Sequence, residues 1–208
     1  MARYTDAVCR LCRRYGDKLM LKGERCMGPK CAMDRRPMPP GQRPARRRRV
    51  SDRALQLREK QKARFTYGVM ERQFRRYYRE AIRRSGVTGE NLVRLLETRL
   101  DNVVYRMGFA ESRAQARQLV RHGHLQLNGR KTDIPSCAVK VGDVVGWVSS
   151  RTKTEYYKMA REAIEGKHIP EWLSVDASQM TGRVVALPAL AEMEAKFDPS
   201  VIVEYYSR

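Results

Sequence analysis

Four cysteines, Cys9, Cys12, Cys26 and Cys31, fall in one short stretch crowded with Arg and Lys, CRLCRRYGDKLMLKGERCMGPKC. They are spaced C-x2-C, then thirteen residues, then C-x4-C. Two close pairs separated by a short loop suit a tetrahedral thiolate site, because each pair supplies two ligands from a single turn. Flanking Arg10, Arg13, Arg14, Arg25 and Lys30 would lower the thiol pKa values and balance the charge of a Zn(Cys)4 centre. The same thiolates could hold an iron–sulfur cluster, since ligand type does not separate the two, and free thiols are the third reading. Either metal would be a fold staple, with no open position for catalysis. Five cysteines in all, an odd number, speak against a disulfide framework in a reducing compartment. Cys137, close to Pro135, reads as a small packing residue.

The charge of the chain indicates what such a site would serve. Its 208 residues carry a net charge of +20 and a pI near 10.3, with 42% hydrophobic and 32% charged residues. Residues 1–84 hold 26 Lys and Arg against 8 Asp and Glu, whereas 85–208 hold 17 against 15. An excess so placed needs a polyanion beside it. No run approaches the ~20 apolar residues of a membrane span, and the first residues lack the order of a secretory signal. A cytosolic nucleic-acid binder is expected.

The positioning elements follow from periodicity. Residues 1–50 carry few large apolar side chains, too few to offset the entropy of ordering them, and end in the Arg- and Pro-rich RPMPPGQRPARRRR. This basic extension reads as an arm, with the metal supplying its missing core. Residues 51–97 read as a helical bundle, joined by C-terminal residues 170–208. Ser51 or Asp52 caps its first helix and Gly68 ends it. In the next, Phe74, Tyr77, Tyr78, Ala81 and Ile82 form one apolar stripe. Residues 98–169 read as a compact helix–helix–hairpin module and a following helix. Thr98 with Asp101, and Ser112 with Gln115, look like helix starts. Asn128-Gly129 marks the hairpin. The C-terminal SVIVEYYSR reads as extended. The fold class is α+β, mainly helical.

Arg113, Arg117 and Arg121 recur every four residues, followed by His122, His124 and the hairpin residues Arg130 and Lys131. A basic helix beside a basic hairpin makes a corner that can follow a phosphate backbone, and Arg planes can stack on splayed bases. The segment ESRAQARQLVRHGHLQLNGRKTD closely resembles the RNA-binding module of the small-subunit ribosomal protein S-four family. LREKQKARFTYGVMERQFRRYY, GENLVRLLETRLDNVVYRMGF and the ending VIVEYYSR extend the resemblance to the bacterial form of that family. The stretch PPGQRP departs from it, since Arg43-Pro44 stands where the family usually has His-Gly.

The resemblance implies a primary binder of 16S-type ribosomal RNA that nucleates subunit assembly. It also implies influence on decoding accuracy and contact with ribosomal protein S-five. Arg46, Arg47, Arg48 and Arg49 would lie near the entrance of the messenger-RNA channel. Arg58, Lys60, Lys62, Arg72, Arg76 and Arg79 would contact the ribosomal RNA junction. The N-terminal cations Arg3, Arg10, Arg13, Arg14, Lys22, Lys30, Arg35, Arg36 and Arg43 would add phosphate contacts. His122, His124 and His168 form no evident triad with the scattered carboxylates, and the chain after residue 150 is short for a catalytic domain. An RNA-modification or repair factor built on the same module is the alternative, and an enzyme is not expected.

Overall fold

The computed structural model describes residues 4–42, 50–189 and 196–207. The chain forms two compact units, one of residues 1–93 with 194–208 and one of residues 94–193. Arg3, Arg43 and Arg46–Arg49 lie outside the described residues.

The first unit holds α1 (Cys9–Tyr15), a 3-10 turn (Gly23–Cys26), α2 (Ala32–Arg35), α3 (Asp52–Thr66), α4 (Glu71–Arg83) and α9 (Pro199–Ser207). Ser51 caps α3 by accepting from the Ala54 amide, and Gly68 ends the turn after it with a φ of 61°. On α4, Phe74, Tyr78 and Ala81 are buried as their spacing requires. Ile82 lies on the flank of that stripe and is 54% exposed, so it is not part of the core.

The extension departs from expectation because it does bury an apolar cluster. Leu11, Cys12 and Leu19 are buried, with Tyr4, Val8, Tyr15, Leu21, Met33 and Phe65 against them. Phe65 comes from α3, and its ring meets Tyr4 edge-on at 5.6 Å and Tyr15 at 5.9 Å. Borrowing one aromatic from a long helix supplies the core that residues 1–50 could not build alone. The structure does not display the metal-stapled form of the extension: among the described residues, no group of three or more His, Cys, Asp or Glu is arranged to hold a metal ion.

The C-terminal segment forms a helix instead of the extended run its β-branched and aromatic residues suggest. Asp198 receives the Ser200 amide at 2.8 Å and Pro199 takes the first helical position, a capped start. Helical spacing then puts Ile202 and Tyr206 on one face, with Ile202 fully buried. Tertiary burial outweighs β propensity here.

Helix α5 (Thr88–Glu97) leads from the first unit into the second. The second unit holds α6 (Leu100–Arg106), α7 (Arg113–Arg121), α8 (Glu155–Ala163) and a five-stranded antiparallel sheet in the order β2-β1-β3-β5-β4. Its strands are β1 (Leu125–Leu127), β2 (Arg130–Lys131), β3 (Val144–Trp147), β4 (Leu173–Asp176) and β5 (Thr181–Val184). Residues 173–184 thus complete this sheet, whereas the sequence pattern groups them with the helical bundle. Asn128 and Gly129 both have positive φ, 50° and 76°, as a tight hairpin turn between β1 and β2 requires.

Ser112 caps α7 through the Gln115 amide, while the Gln115 side chain accepts from the Glu111 amide. Thr98 caps nothing: its hydroxyl donates to the Arg94 carbonyl, and Arg99 occupies the N-cap position of α6. The core gathers Leu100, Val103, Val104 and Met107 from α6 with Ala116, Leu119 and Val120 from α7. Leu125, Val145, Trp147 and Val184 meet them from the sheet.

Candidate nucleic-acid interface

The structure sorts the expected cations into those held by the fold and those left facing solvent. Arg113 and Arg117 belong to the first group and are withdrawn from the surface, contrary to the sequence reading. Arg117 is 9% exposed and donates to Asp101 at 3.1 Å. Arg99 grips the same carboxylate with two bonds of 3.0 and 2.7 Å. Arg113 donates through Nε to the Asn102 amide oxygen at 2.8 Å and stacks over Tyr105. Asn102 in turn donates to Glu97 at 2.6 Å, and Arg106 binds Glu97 through two nitrogens. Charge at these positions fixes α5, α6 and α7 to one another, since a buried cation persists only when paired.

The first unit repeats the pattern. Lys60 is 3% exposed, bonded to Glu71 at 2.8 Å and set over the Tyr205 ring. Lys62 bridges Glu59 at 2.6 Å and Asp17. Arg58 donates to the Tyr15 carbonyl at 2.9 Å, and Arg13 to the Met38 carbonyl at 2.8 Å. Lys60 and Lys62 are therefore structural cations, since their ammonium groups are committed to carboxylates inside the unit.

The solvent-facing group is different in kind. Arg10, Arg14, Lys22, Lys30, Arg35 and Arg36 are exposed on the extension, and Arg72, Arg76 and Arg79 on α4. In the second unit Arg121, His122, Arg130 and Lys131 are exposed around the end of α7 and the hairpin. The sequence reading left Arg75 and Arg83 out of the interface, yet both are exposed on α4. Their offsets of three, four and seven residues from their neighbours were the available signal.

His124 is half-buried between His122, at 6.3 Å, and Trp147, at 6.2 Å between ring centroids. Burial, then the charges of Arg151 and His122, hold its imidazole below its ordinary value. Desolvation at this position favours the neutral form of the ring. Because the folded value lies below the unfolded one, the stability that neutral His124 contributes is present above the ordinary histidine value of about 6.5 and is lost as pH falls below it. A proton NMR titration of the free protein is expected to give a His124 midpoint below about 6.5; a midpoint above that value would contradict the assignment.

The four thiols are all free. Burial is the largest influence on Cys12 and raises its pKa, the Leu19 amide opposes that, and Cys26, Cys9 and Cys31 each raise it further. The Lys22 amide donates to the Cys26 sulfur at 3.3 Å. The neighbouring arginines do not control Cys12, which corrects the expected lowering at that residue.

No helix among the described residues is long and apolar enough to cross a membrane. The profile described as the ribosomal protein S4/S9 N-terminal domain matches residues 3–97, and that of the S4 domain matches residues 98–145. The chain is 52% identical to the small ribosomal subunit protein uS4 of Dehalococcoides mccartyi and 53% to that of Acetivibrio thermocellus. It is 54% identical to that of Heliobacterium modesticaldum, and each comparison covers the whole of both chains. A helical first unit, a second unit of helices α6, α7 and α8 with a five-stranded sheet, and relatives matched end to end identify this chain as a member of the uS4 family.

Proposed function

We propose that this chain is a structural constituent of the small ribosomal subunit in the cytoplasm, where it binds 16S-type ribosomal RNA. The observation that carries the reading is the sorting of cations. Interior arginines and lysines are matched to carboxylates, while those of the extension, α4 and the hairpin face solvent. Exposed arginines without a polyanion would repel one another; along RNA they release counterions and gain affinity. In the same reading the protein binds early and nucleates assembly. The protein lies near the messenger-RNA entry channel and influences accuracy, and the nearly neutral C-terminal part meets ribosomal protein S-five.

The test is binding to small-subunit ribosomal RNA with no other protein present. Tight binding is expected, with log K falling linearly against log salt. Binding that appears only after other ribosomal proteins are added would overturn the role of primary binder.

We infer further that Cys9, Cys12, Cys26 and Cys31 hold one structural zinc ion. The chemistry of the donors supports it: two close pairs of thiols come from α1 and from the 3-10 turn and the start of α2, and the Lys22 amide donates to the Cys26 sulfur. Zinc would supply a cross-link among these short elements. Elemental analysis is expected to find one zinc per chain, lost in Cys12→Ser. A brown sample with about four irons would replace zinc by a cluster, and no metal would remove the site. Because Leu11, Leu19 and Phe65 form a cluster of their own, metal loss should raise proteolysis within residues 4–42 and leave α3 and α4 folded.

A further inference from the structure

Asn128 does more at the hairpin than a tight turn asks of it. The turn needs only a residue that accepts positive φ, and glycine would serve as well. Yet both polar atoms of the Asn128 side chain are committed to one segment outside the hairpin. Its Nδ2 donates to the Asp143 Oδ1 at 2.8 Å, and its Oδ1 accepts from the Val144 amide at 2.8 Å. The Asn128 amide donates in turn to the Val144 carbonyl at 2.8 Å. Asp143 is itself fixed, because its Oδ2 accepts from the Lys140 amide at 2.7 Å and its carbonyl accepts from the Val184 amide at 3.0 Å. Three hydrogen bonds thus tie the turn to the start of β3.

The tip needs such a hold. Strand β2 has two residues and pairs only with β1, and a two-stranded ribbon is marginal in water. Those two residues are Arg130 and Lys131, both exposed. Lys131 is also held on another side. A Cβ at Gly123 would collide with the Lys131 side chain and would stand 3.1 Å from its Nζ. The stem of Lys131 therefore runs against the backbone at the end of α7, where Arg121 and His122 are exposed.

We propose that Asn128 and Asp143 are positioning residues for RNA binding, a proposal that rests on the ribosomal RNA reading above. Together they hold Arg130 and Lys131 in the orientation in which these cations reach phosphates. Cations fixed before binding lose less loop and side-chain freedom on docking, so the clamp raises affinity without adding a contact. The sign of the effect sets the proposal apart. By charge alone, a carboxylate on a module that binds a polyanion weakens binding, and its removal tightens it. As the anchor of the turn, Asp143 strengthens binding, and its removal weakens it.

The experiment measures the affinity and salt dependence of the full chain for small-subunit ribosomal RNA. Asp143→Ala removes the anchor together with a negative charge. Asn128→Gly removes the clamp with no change of charge and keeps a residue suited to the turn. Each is expected to bind about tenfold more weakly at about 0.1 M salt, the worth of roughly one phosphate contact. The double variant should bind no more weakly than either alone. The pair Arg130→Gln with Lys131→Gln should lose about two units of salt slope in the wild type. In Asn128→Gly it should lose less, because the cations it removes are already misplaced. Arg76→Gln on α4, in the other unit, should cost the same in both backgrounds.

Tighter binding by Asp143→Ala with Asn128→Gly unchanged would overturn the proposal, since the carboxylate would then act only through its charge. Additive losses from Asn128→Gly and the hairpin pair would overturn it too, because a general loosening of the chain would give that result. So would a hairpin pair that costs the wild type nothing, which would leave no contact to position. Failure of the wild-type chain to bind this RNA would instead sink the reading on which the clamp rests.

Discussion

Replacing Glu97 with Ala is expected to destabilise the second unit by about 3–5 kcal/mol, the cost of leaving buried cations without their carboxylate. Glu97 is 1% exposed and accepts from Arg106 at 3.0 and 3.1 Å and from Asn102 at 2.6 Å. Arg113 lies 3.9 Å away and is itself held by Asn102. Removing the carboxylate therefore disturbs two cations at once. Glu97→Gln should recover part of the loss, because an amide keeps the shape and one acceptor. The double change Glu97→Leu with Arg106→Met should recover more, since an apolar pair of similar volume avoids desolvating either charge. Chemical denaturation of the three variants checks the order. If Glu97→Ala lost less than about 1 kcal/mol, the network would be incidental to the fold. RNA affinity should fall with stability in Glu97→Ala, although no solvent-facing residue has been touched.

Replacing Tyr206 with Ala is expected to cost about 3 kcal/mol, within the range for truncating an aromatic that packs in a core. Its ring stacks on Tyr78 at 4.5 Å and on Phe74 at 6.3 Å, and its hydroxyl donates to Glu71 at 2.9 Å. Phe74 and Tyr78 are the buried face of α4, so α9 holds the helix that carries these exposed arginines. Tyr206→Phe keeps the stacking and should lose only the hydrogen bond, about 1 kcal/mol. Thermal melts give both values, and equal losses in the two variants would show that the hydroxyl, not the ring, carries the interaction.

The same cluster sets an acid limit. Burial raises the Glu71 carboxyl, but hydrogen bonds from Lys60 and Tyr206 and the charges of Lys60 and Arg64 outweigh it and leave the group below its ordinary value. A carboxyl lowered in the folded state contributes stability above its unfolded value and loses it as pH falls through the folded one. The gap between Tyr206→Ala and the wild type should therefore narrow in acid, below about pH 4.3.

Local signals in the sequence suffice where the chemistry is local. The Ser51 and Ser112 caps, the Gly68 stop and the Asn128-Gly129 turn depend on a few neighbouring residues, and each stands in the fold where those neighbours put it. The stripe of Phe74, Tyr78 and Ala81 follows from helical period. The concentration of charge in residues 1–84 is enough by itself to point to a polyanion. The family is legible in long ordered segments such as GENLVRLLETRLDNVVYRMGF, which the full-length relatives confirm.

What periodicity could not supply was the partner of each charge. Arg113, Arg117 and Arg121 are equivalent in a helical count, yet the first two meet Asn102 and Asp101 from α6 while Arg121 meets solvent. Lys60 and Arg72 look alike in a basic segment, yet Glu71 and Tyr205 enclose only Lys60. The final residues read as extended because β propensity is weak evidence, and burial of Ile202 with stacking of Tyr206 on Tyr78 decided for helix. The type of most elements, their ends and the sign of the partner follow from neighbours along the chain. Which cations belong to the interior and which face solvent is settled only in the folded chain, because burying a charge depends on a carboxylate brought from elsewhere in the fold.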